Sequence, residues 1–535
     1  MKKRAEKKEH KHSRGERREA VSEILKSLLI FVLVILMLVL MTLLMLGEGN
    51  RAVEDVLPFE EHMIVYENPA EAENIRTMRT ERTVPSVLAW RADNGSLHSL
   101  FADTGEREEA YAALLPVLRE LFGGGCRCTL LSGEAGDAFW TESRQNLCVY
   151  LRYPGALPAA VLGAYARGSE AKESGTLADI PVPGDAAYIR ELFLFPDPED
   201  RTVLCAAARD DHGAVSVFRR EQGTGDISDL HTAVLSAYIE TVENGCAYRE
   251  AVFCGDAVFP EEAAGSSFFL LRDSGSGGDT ALWVKTLLSV PELSLERPSA
   301  DVLLYGAEDA GQLSALLSVF ALRENPSSYY RDTSGARVYL DAEGSLTVGA
   351  DGTLSYAAMQ KGGVSLSSFL GYANVTDAYS LTETLCAADR LLDRLGALHP
   401  AYRGGEDAEV RLVSVSGTED GILLVYDCLV SGLPVTDEAG RSAHFCTMRI
   451  SGGTVTAFSM QPVLLMCTDP EKAPLLLPQS VQLAAMAEEL SAETDGTEKT
   501  LSGIFSLEYR ISEDGTRAAA EWVFRSADTE RTVGA

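Results

Sequence analysis

The chain is 535 residues long, carries 47 Lys and Arg against 79 Asp and Glu for a net charge of −32, and is 46% hydrophobic. Such a length holds two or three cores of about 100–200 residues each, and so strong an acidic excess, with no basic stripe interleaved with aromatics, argues against nucleic acid as a partner. Ten cysteines spread over this length do not make a disulfide-dense scaffold.

Residues 1–27 hold ten Lys and Arg against five Glu and read as a basic cytoplasmic tail under the positive-inside rule. Residues 28–46, LLIFVLVILMLVLMTLLML, contain Thr42 as their one polar side chain and predict a transmembrane helix. At about 1.5 Å per residue the helix spans roughly 28 Å, close to the hydrocarbon thickness of a bilayer. A cleaved signal peptide is the alternative, but the run exceeds the usual apolar core of about 7–15 residues. Only Gly47-Glu48-Gly49 faintly resembles a cleavage site. The reading is therefore a single-pass membrane protein with its N-terminus cytoplasmic, anchored through Leu28 to Leu46. Its large domain is extracytoplasmic, with 37 basic and 74 acidic side chains. That charge disfavours anionic wall polymers as ligands unless divalent cations bridge.

Residues 47–82, rich in Glu, Asn and Arg, predict a juxtamembrane stalk. A first exterior α+β domain is expected over 83–180. In it Tyr111, Leu114, Leu115, Leu118 and Phe122 fall at helical spacing, Pro116 lies within the helix, and Gly123 to Gly125 end it. A strand over 148–153 and a short helix from Pro158 to Tyr165 follow. The small, polar, proline-spaced segment 168–184 predicts a boundary.

A second α+β domain is expected over 181–300, opening with strands at 188–195, 203–208 and 214–220. A helix carrying Ile227, Leu230, Val234, Leu235 and Tyr238 comes next, then strands at 250–259, 266–272 and 281–287. The tract Asp273 to Asp279 lacks the Lys-Ser/Thr ending of a phosphate-binding loop and reads as a hairpin turn.

The third domain, 301–535, opens with a helix through Leu313, Leu316, Leu317 and Phe320. Strands over 336–356 carry hairpin signals at Asp341–Gly344 and Asp351-Gly352. Ser380-Leu381-Thr382-Glu383 is a capping box opening a helix that runs to Leu398. Strands follow at 410–415, 422–430, 445–450 and 455–460, then a helix over about 480–490 and a closing hairpin of 504–511 with 518–524. The fold class expected is α+β: an N-terminal transmembrane helix, then a multi-domain exterior of helices packed on antiparallel sheets.

Chemistry is hard to find in this sequence. His62, His98, His212, His231, His399 and His444 stand apart from one another, His10 and His12 lie in the tail, and no pair has zinc-ligand spacing. Glu60-Glu61, Glu261-Glu262 and Glu488-Glu489 read as solvated faces in a chain this acidic. Asp210-Asp211-His212, followed by Gly213 and flanked by strands, reads as a hairpin turn and not as a calcium loop. Cys148, Cys205, Cys386 and Cys428 sit within apolar runs and read as core. Asn94-Gly95-Ser96 and Asn374-Val375-Thr376 match glycosylation sequons by pattern alone. No catalytic, cofactor-binding or metal residue is assigned, and no cofactor is expected.

The ordering of tail, span, and a helix-and-strand exterior that contains VYDCLVSGLPV (425–435) and RISGGTVTAFSM (449–460) resembles the YycH and YycI regulatory proteins of Gram-positive bacteria. The likeness rests on aromatic–apolar strands entering Gly432-Leu433-Pro434-Val435, the Gly452-Gly453 turn and the stretch from Phe320 through Asn325-Pro326 to Tyr339 with its Asp351-Gly352 hairpin. Leu507, Tyr509 and Trp522 in the closing strands add to it. By length the chain is closer to YycH. The resemblance implies a non-enzymatic regulator of an essential sensor histidine kinase in a two-component system of cell-wall homeostasis, with that kinase and a related regulatory membrane protein as partners. The cysteine count and the long basic tail depart from the family pattern. An envelope module recognising a peptide or wall precursor is the alternative function, and an exterior hydrolase a third.

Overall fold

The chain divides into a unit of residues 1–65 and a compact unit of residues 66–535. The computed structural model describes residues 79–533, leaving out 168–187, 198–202, 221–231, 261–269, 273–279, 283–287, 306–310, 324–328, 372–378, 438–443, 469–474, 477–503 and some shorter stretches. The expected span Leu28–Leu46, the helix over about 480–490 and the segment 168–184 lie outside the described residues. Among the described residues no helix is long and apolar enough to cross a membrane.

The fold is α+β, built on two large sheets. A 3-10 turn, Thr80–Thr83, leads into β1 (Val87–Arg91), β2 (Leu97–Leu100), α1 (Thr104–Phe122), β3 (Cys126–Leu131), α2 (Glu134–Ser143), β4 (Val149–Pro158) and α3 (Ala159–Arg167). Next come β5 (Tyr188–Pro196), β6 (Leu204–Arg209), β7 (Val215–Arg220), α4 (Thr232–Gly245), β8 (Arg249–Cys254) and β9 (Ala257–Pro260). The nine strands form one antiparallel sheet in the order β3-β7-β6-β5-β4-β1-β2-β8-β9.

Alternation along these strands explains both faces. Leu88, Trp90, Val149, Leu151, Leu192, Leu194, Ala206 and Ala208 point to one side and join Leu114, Leu118, Tyr165 and Tyr238 from α1, α3 and α4. The intervening Ala89, Tyr150, Phe193, Phe195, Cys205 and Ala207 point to the other and pack with Trp140 of α2. With both faces covered, β5 reads as a nearly continuous apolar run.

The division expected between 83–180 and 181–300 runs through this sheet, since β4 pairs directly with β5 and β3 with β7. Segment 168–187 has the composition of a linker yet joins α3 to the strand beside β4. Composition reports the polarity of a connection, not whether the elements on either side share a core.

Beyond β9 lie β10 (Leu270–Arg272), β11 (Thr280–Leu282), β12 (Leu288–Ser289), β13 (Leu293–Glu296), α5 (Ala300–Tyr305) and α6 (Gly311–Val319). β10 and β11 pair antiparallel across the Asp273 to Asp279 tract. Then come β14 (Tyr329–Arg331), β15 (Arg337–Leu340), β16 (Gly344–Val348), β17 (Leu354–Ala358), β18 (Val364–Ser365), α7 (Ser367–Leu370) and α8 (Leu381–Leu398). The second sheet takes β13 to β18 together with β19 (Ala408–Thr418), β20 (Gly421–Val430), β21 (Leu433–Thr436), β22 (Cys446–Ser451), β23 (Thr454–Met460), β24 (Leu464–Cys467), β26 (Ile504–Ile511), β27 (Arg517–Arg525) and β28 (Glu530–Val533). A separate two-residue β25 (Leu475–Leu476) pairs with β12.

Both hairpins expected from Asp341–Gly344 and Asp351-Gly352 are present, joining β15 to β16 and β16 to β17. The expectation of antiparallel sheets needs one correction: β21 and β26 run parallel. The tight Ser431-Gly432 turn folds β21 straight back along β20, and the long connection from β21 allows β26 to arrive from the same end.

Candidate functional site

The two sheets meet at a junction made from opposed irregularities. β4 loses its pairing with β5 between Arg152 and Leu157, and β19 has a register shift between Leu412 and Ser414. At the first bulge Arg190 hydrogen-bonds the carbonyl of Pro154. Gly155 of that bulge lies so close to Val413 of the other that a Cβ on it would meet the Val413 carbonyl. A bulge leaves backbone groups outside the ladder and re-aims the strand, and here each bulge is where one sheet touches the other.

Beside this contact lies a buried polar cluster. α8 carries an apolar stripe of Leu381, Leu385, Ala388, Leu392 and Leu395, and Asp389 falls within it, only 1% exposed. Tyr165 of α3 donates its phenol to both Asp389 oxygens at 3.2 Å, and Tyr426 of β20 donates to Oδ1 at 3.5 Å. Arg82 of the 3-10 turn holds Nε 3.9 Å from Oδ1, an ion-pair distance beyond hydrogen-bond reach. Its Nη1 donates to the Val410 carbonyl of β19 at 3.0 Å and its Nη2 to Asp393 at 3.4 Å. Arg79, one turn earlier, donates to Asp393 at 2.8 Å.

Burial dominates the electrostatics. Desolvation pushes the Asp389 carboxyl up to about 7, with Arg82 opposing, the Asp393 charge adding and the Tyr165 hydrogen bond opposing. The Tyr165 and Tyr426 phenols are raised well above their ordinary value by burial and by the facing Asp389, which keeps them as donors. One guanidinium at 3.9 Å therefore does not fully offset the removal of this carboxylate from water.

A second polar strip closes the junction. Arg411 of β19 pairs with Glu409 and, at 3.2 Å, with Glu108 of α1. Arg107 of α1 lies 3.9 Å from Glu409, donates to the Ser86 carbonyl at 2.8 Å, and is covered by Gly432, where a Cβ would stand 2.9 Å from its Nη1. With Ser431 and Gly432 both at positive φ, the loop between β20 and β21 has the twist of a primed hairpin turn.

A small, partly open hollow of about 40 Å³ lies elsewhere, in the second sheet, walled by Leu295, Val435, Phe445, Val463, Leu465 and Ile511 with Arg297 and Gln461 as its polar members. Cys428 also lines it, and burial drives that thiol far above its usual range.

The residues weighed from sequence scatter. Asp210 closes the β6–β7 hairpin, its carboxylate accepting from the Ala214 amide at 2.8 Å beside the positive-φ Gly213, and Asp211 lies 3.6 Å from Arg190. Cys148, Cys205, Cys386 and Cys428 are buried, as expected. His98 pairs with Glu243 at 2.8 Å, His444 with Asp427 at 3.1 Å, and His399 accepts from the Ala401 amide at 3.1 Å. His10, His12, His62, His212, His231, the three Glu pairs, Asn94, Asn374 and Thr376 lie outside the described residues. Among the described residues no group of three or more His, Cys, Asp or Glu is placed to hold a metal ion. Asp389, Arg82, Tyr165 and Tyr426 were not singled out from sequence. The legible signal was Asp389 itself, four residues after Leu385 and three before Leu392 on the apolar stripe, where a lone carboxylate is out of pattern.

Comparison with known proteins does not place the chain in a class: no family model, curated protein or solved structure matches it.

Proposed function

We propose that the chain is a non-enzymatic, membrane-anchored regulator of a sensor histidine kinase, acting in a two-component system that controls cell-wall homeostasis, as the likeness to YycH and YycI implies. In this reading Leu28–Leu46 spans the membrane, residues 1–27 remain in the cytoplasm, and the two-sheet body is extracytoplasmic. The observation that carries the reading is the grip of Arg79 and Arg82 on Asp393 of α8. Those arginines lie where the expected stalk ends and the folded body begins, so the entry turn is fastened to α8. A regulator must bind two kinase states with different free energy, because equal binding shifts nothing.

Crosslinking in intact membranes, solubilisation and affinity capture test the reading. A sensor kinase should be recovered, and deletion should change the response to wall stress. Capture without any kinase, together with an unchanged response, would end it. A second reading is an envelope module that recognises a peptide or wall precursor along the apolar edge around Phe445 and Leu465, where the hollow itself is too small to enclose such a ligand. It predicts that Val463→Arg abolishes binding of a labelled wall peptide.

A further inference from the structure

We propose that Asp389 is a proton-operated latch: with its proton on, the two sheets and the entry turn close around a neutral group, and loss of the proton leaves a buried charge that loosens the junction. The geometry brings three separate chain segments onto one carboxyl. Tyr165 reaches it from α3, Tyr426 from β20, and Arg82 from the 3-10 turn. The charged and titratable neighbours are Arg79 and Glu81 on the turn, Cys386, Arg390 and Asp393 on its own helix, and Cys446 of β22, which acts on Tyr426 and Arg82. Arg82 divides its nitrogens among Asp389, Asp393 and the Val410 carbonyl, with the contact to Asp389 the longest.

The direction follows from linkage. The folded carboxyl holds its proton up to about 7, against an ordinary value of 3.8, so the native state binds more protons than the unfolded chain between those limits and stability falls as pH rises through them. From about pH 6 to about pH 8 this one group should lower the folding constant roughly tenfold. The His444–Asp427 pair acts in the same sense, because its hydrogen bond raises the imidazole and favours the protonated form. A comparison of variants is therefore needed to isolate Asp389.

The latch goes beyond the kinase reading and does not depend on it. The test uses the full chain in detergent micelles, with urea unfolding followed from about pH 5 to about pH 8, for the natural sequence, Asp389→Asn and Arg82→Gln. Asp389→Asn should flatten the Asp389 part of the profile, leaving the variant less sensitive to pH by roughly tenfold in folding constant over the upper two units. Protection against hydrogen exchange at 79–83, measured relative to the base-catalysed intrinsic rate at each pH, should fall with pH in the natural protein and not in this variant. Arg82→Gln removes the opposing cation and should move the transition to higher pH. An Asp389→Asn profile parallel to the natural one, or protection at 79–83 that falls with pH equally in both, would overturn the latch. If Asp389→Asn fails to fold, infrared detection of a protonated carboxyl whose band shifts in Asp389→Glu and in Arg82→Gln decides instead: an unchanged carboxyl band in both rejects the proposal.

Discussion

A single hydroxyl carries much of the junction. The Tyr165 phenol bridges both oxygens of Asp389, and the ring around it is fully buried in the core. Tyr165→Phe keeps the packing and removes the donor. Hydrogen bonds to charged partners contribute about 1.5–3 kcal/mol, so a loss of about 2 kcal/mol is expected at a pH where Asp389 is ionised. Without the donor the carboxyl should hold its proton more tightly still. The loss should consequently shrink at low pH, which urea unfolding at two pH values would reveal. An equal loss at both would assign the hydroxyl a role independent of the Asp389 charge.

Elements are fixed by their ends as well as by their faces. α8 begins in a complete capping box, with Glu383 N donating to Ser380 Oγ at 3.2 Å and Ser380 N to the Glu383 carboxylate at 2.7 Å. That start sets the phase of the helix and so places Asp389 opposite Tyr165. α6 ends in a Schellman arrangement, with Leu322 N donating to Leu317 O at 2.9 Å and Ala321 N to Ser318 O at 3.1 Å. Ala321 occupies the left-handed position at φ 55°, where a Cβ is disfavoured. Ala321→Gly should stabilise the protein by about 1 kcal/mol, measured as a higher urea midpoint with an unchanged slope. The motif also turns the chain so that Phe320 stacks on Tyr356 at 5.2 Å and meets Phe458 at 5.3 Å, anchoring α6 to the second sheet.

At the scale of the whole molecule one buried apolar cluster runs through both sheets, from Leu88 and Leu192 to Tyr426 and Ile450. A shared core of this kind unfolds as a unit. The body should show a single calorimetric transition reported alike by Trp90 fluorescence in the first sheet and by probes in the second. Gly155→Ala should lower that one transition without splitting it, by about 2 kcal/mol, because the added methyl would strike the Val413 carbonyl and force the bulges apart. Two resolved transitions would mean that the sheets are independent after all.

The sequence by itself determined the elements whose signal is local. The capping box and helix to Leu398, the apolar, β-branched and aromatic strand runs at 188–195 and 422–430, and the Asp210, Asp341 and Asp351 hairpins all follow from spacing, composition and turn chemistry within a few residues. The same holds for the buried character of Cys148 and Cys386. Only the tertiary structure decided that strands on either side of 180 share one sheet, that β21 and β26 run parallel, and that Arg82, Tyr165, Asp389 and Tyr426 converge. These are contacts between residues separated by tens to hundreds of positions. Their free energy arises from excluding water at a junction that no single segment contains, so nothing in any one stretch encodes it. Asp389 marks the border between the two: its place on an apolar stripe is written in the sequence, and its partners are chosen by the fold.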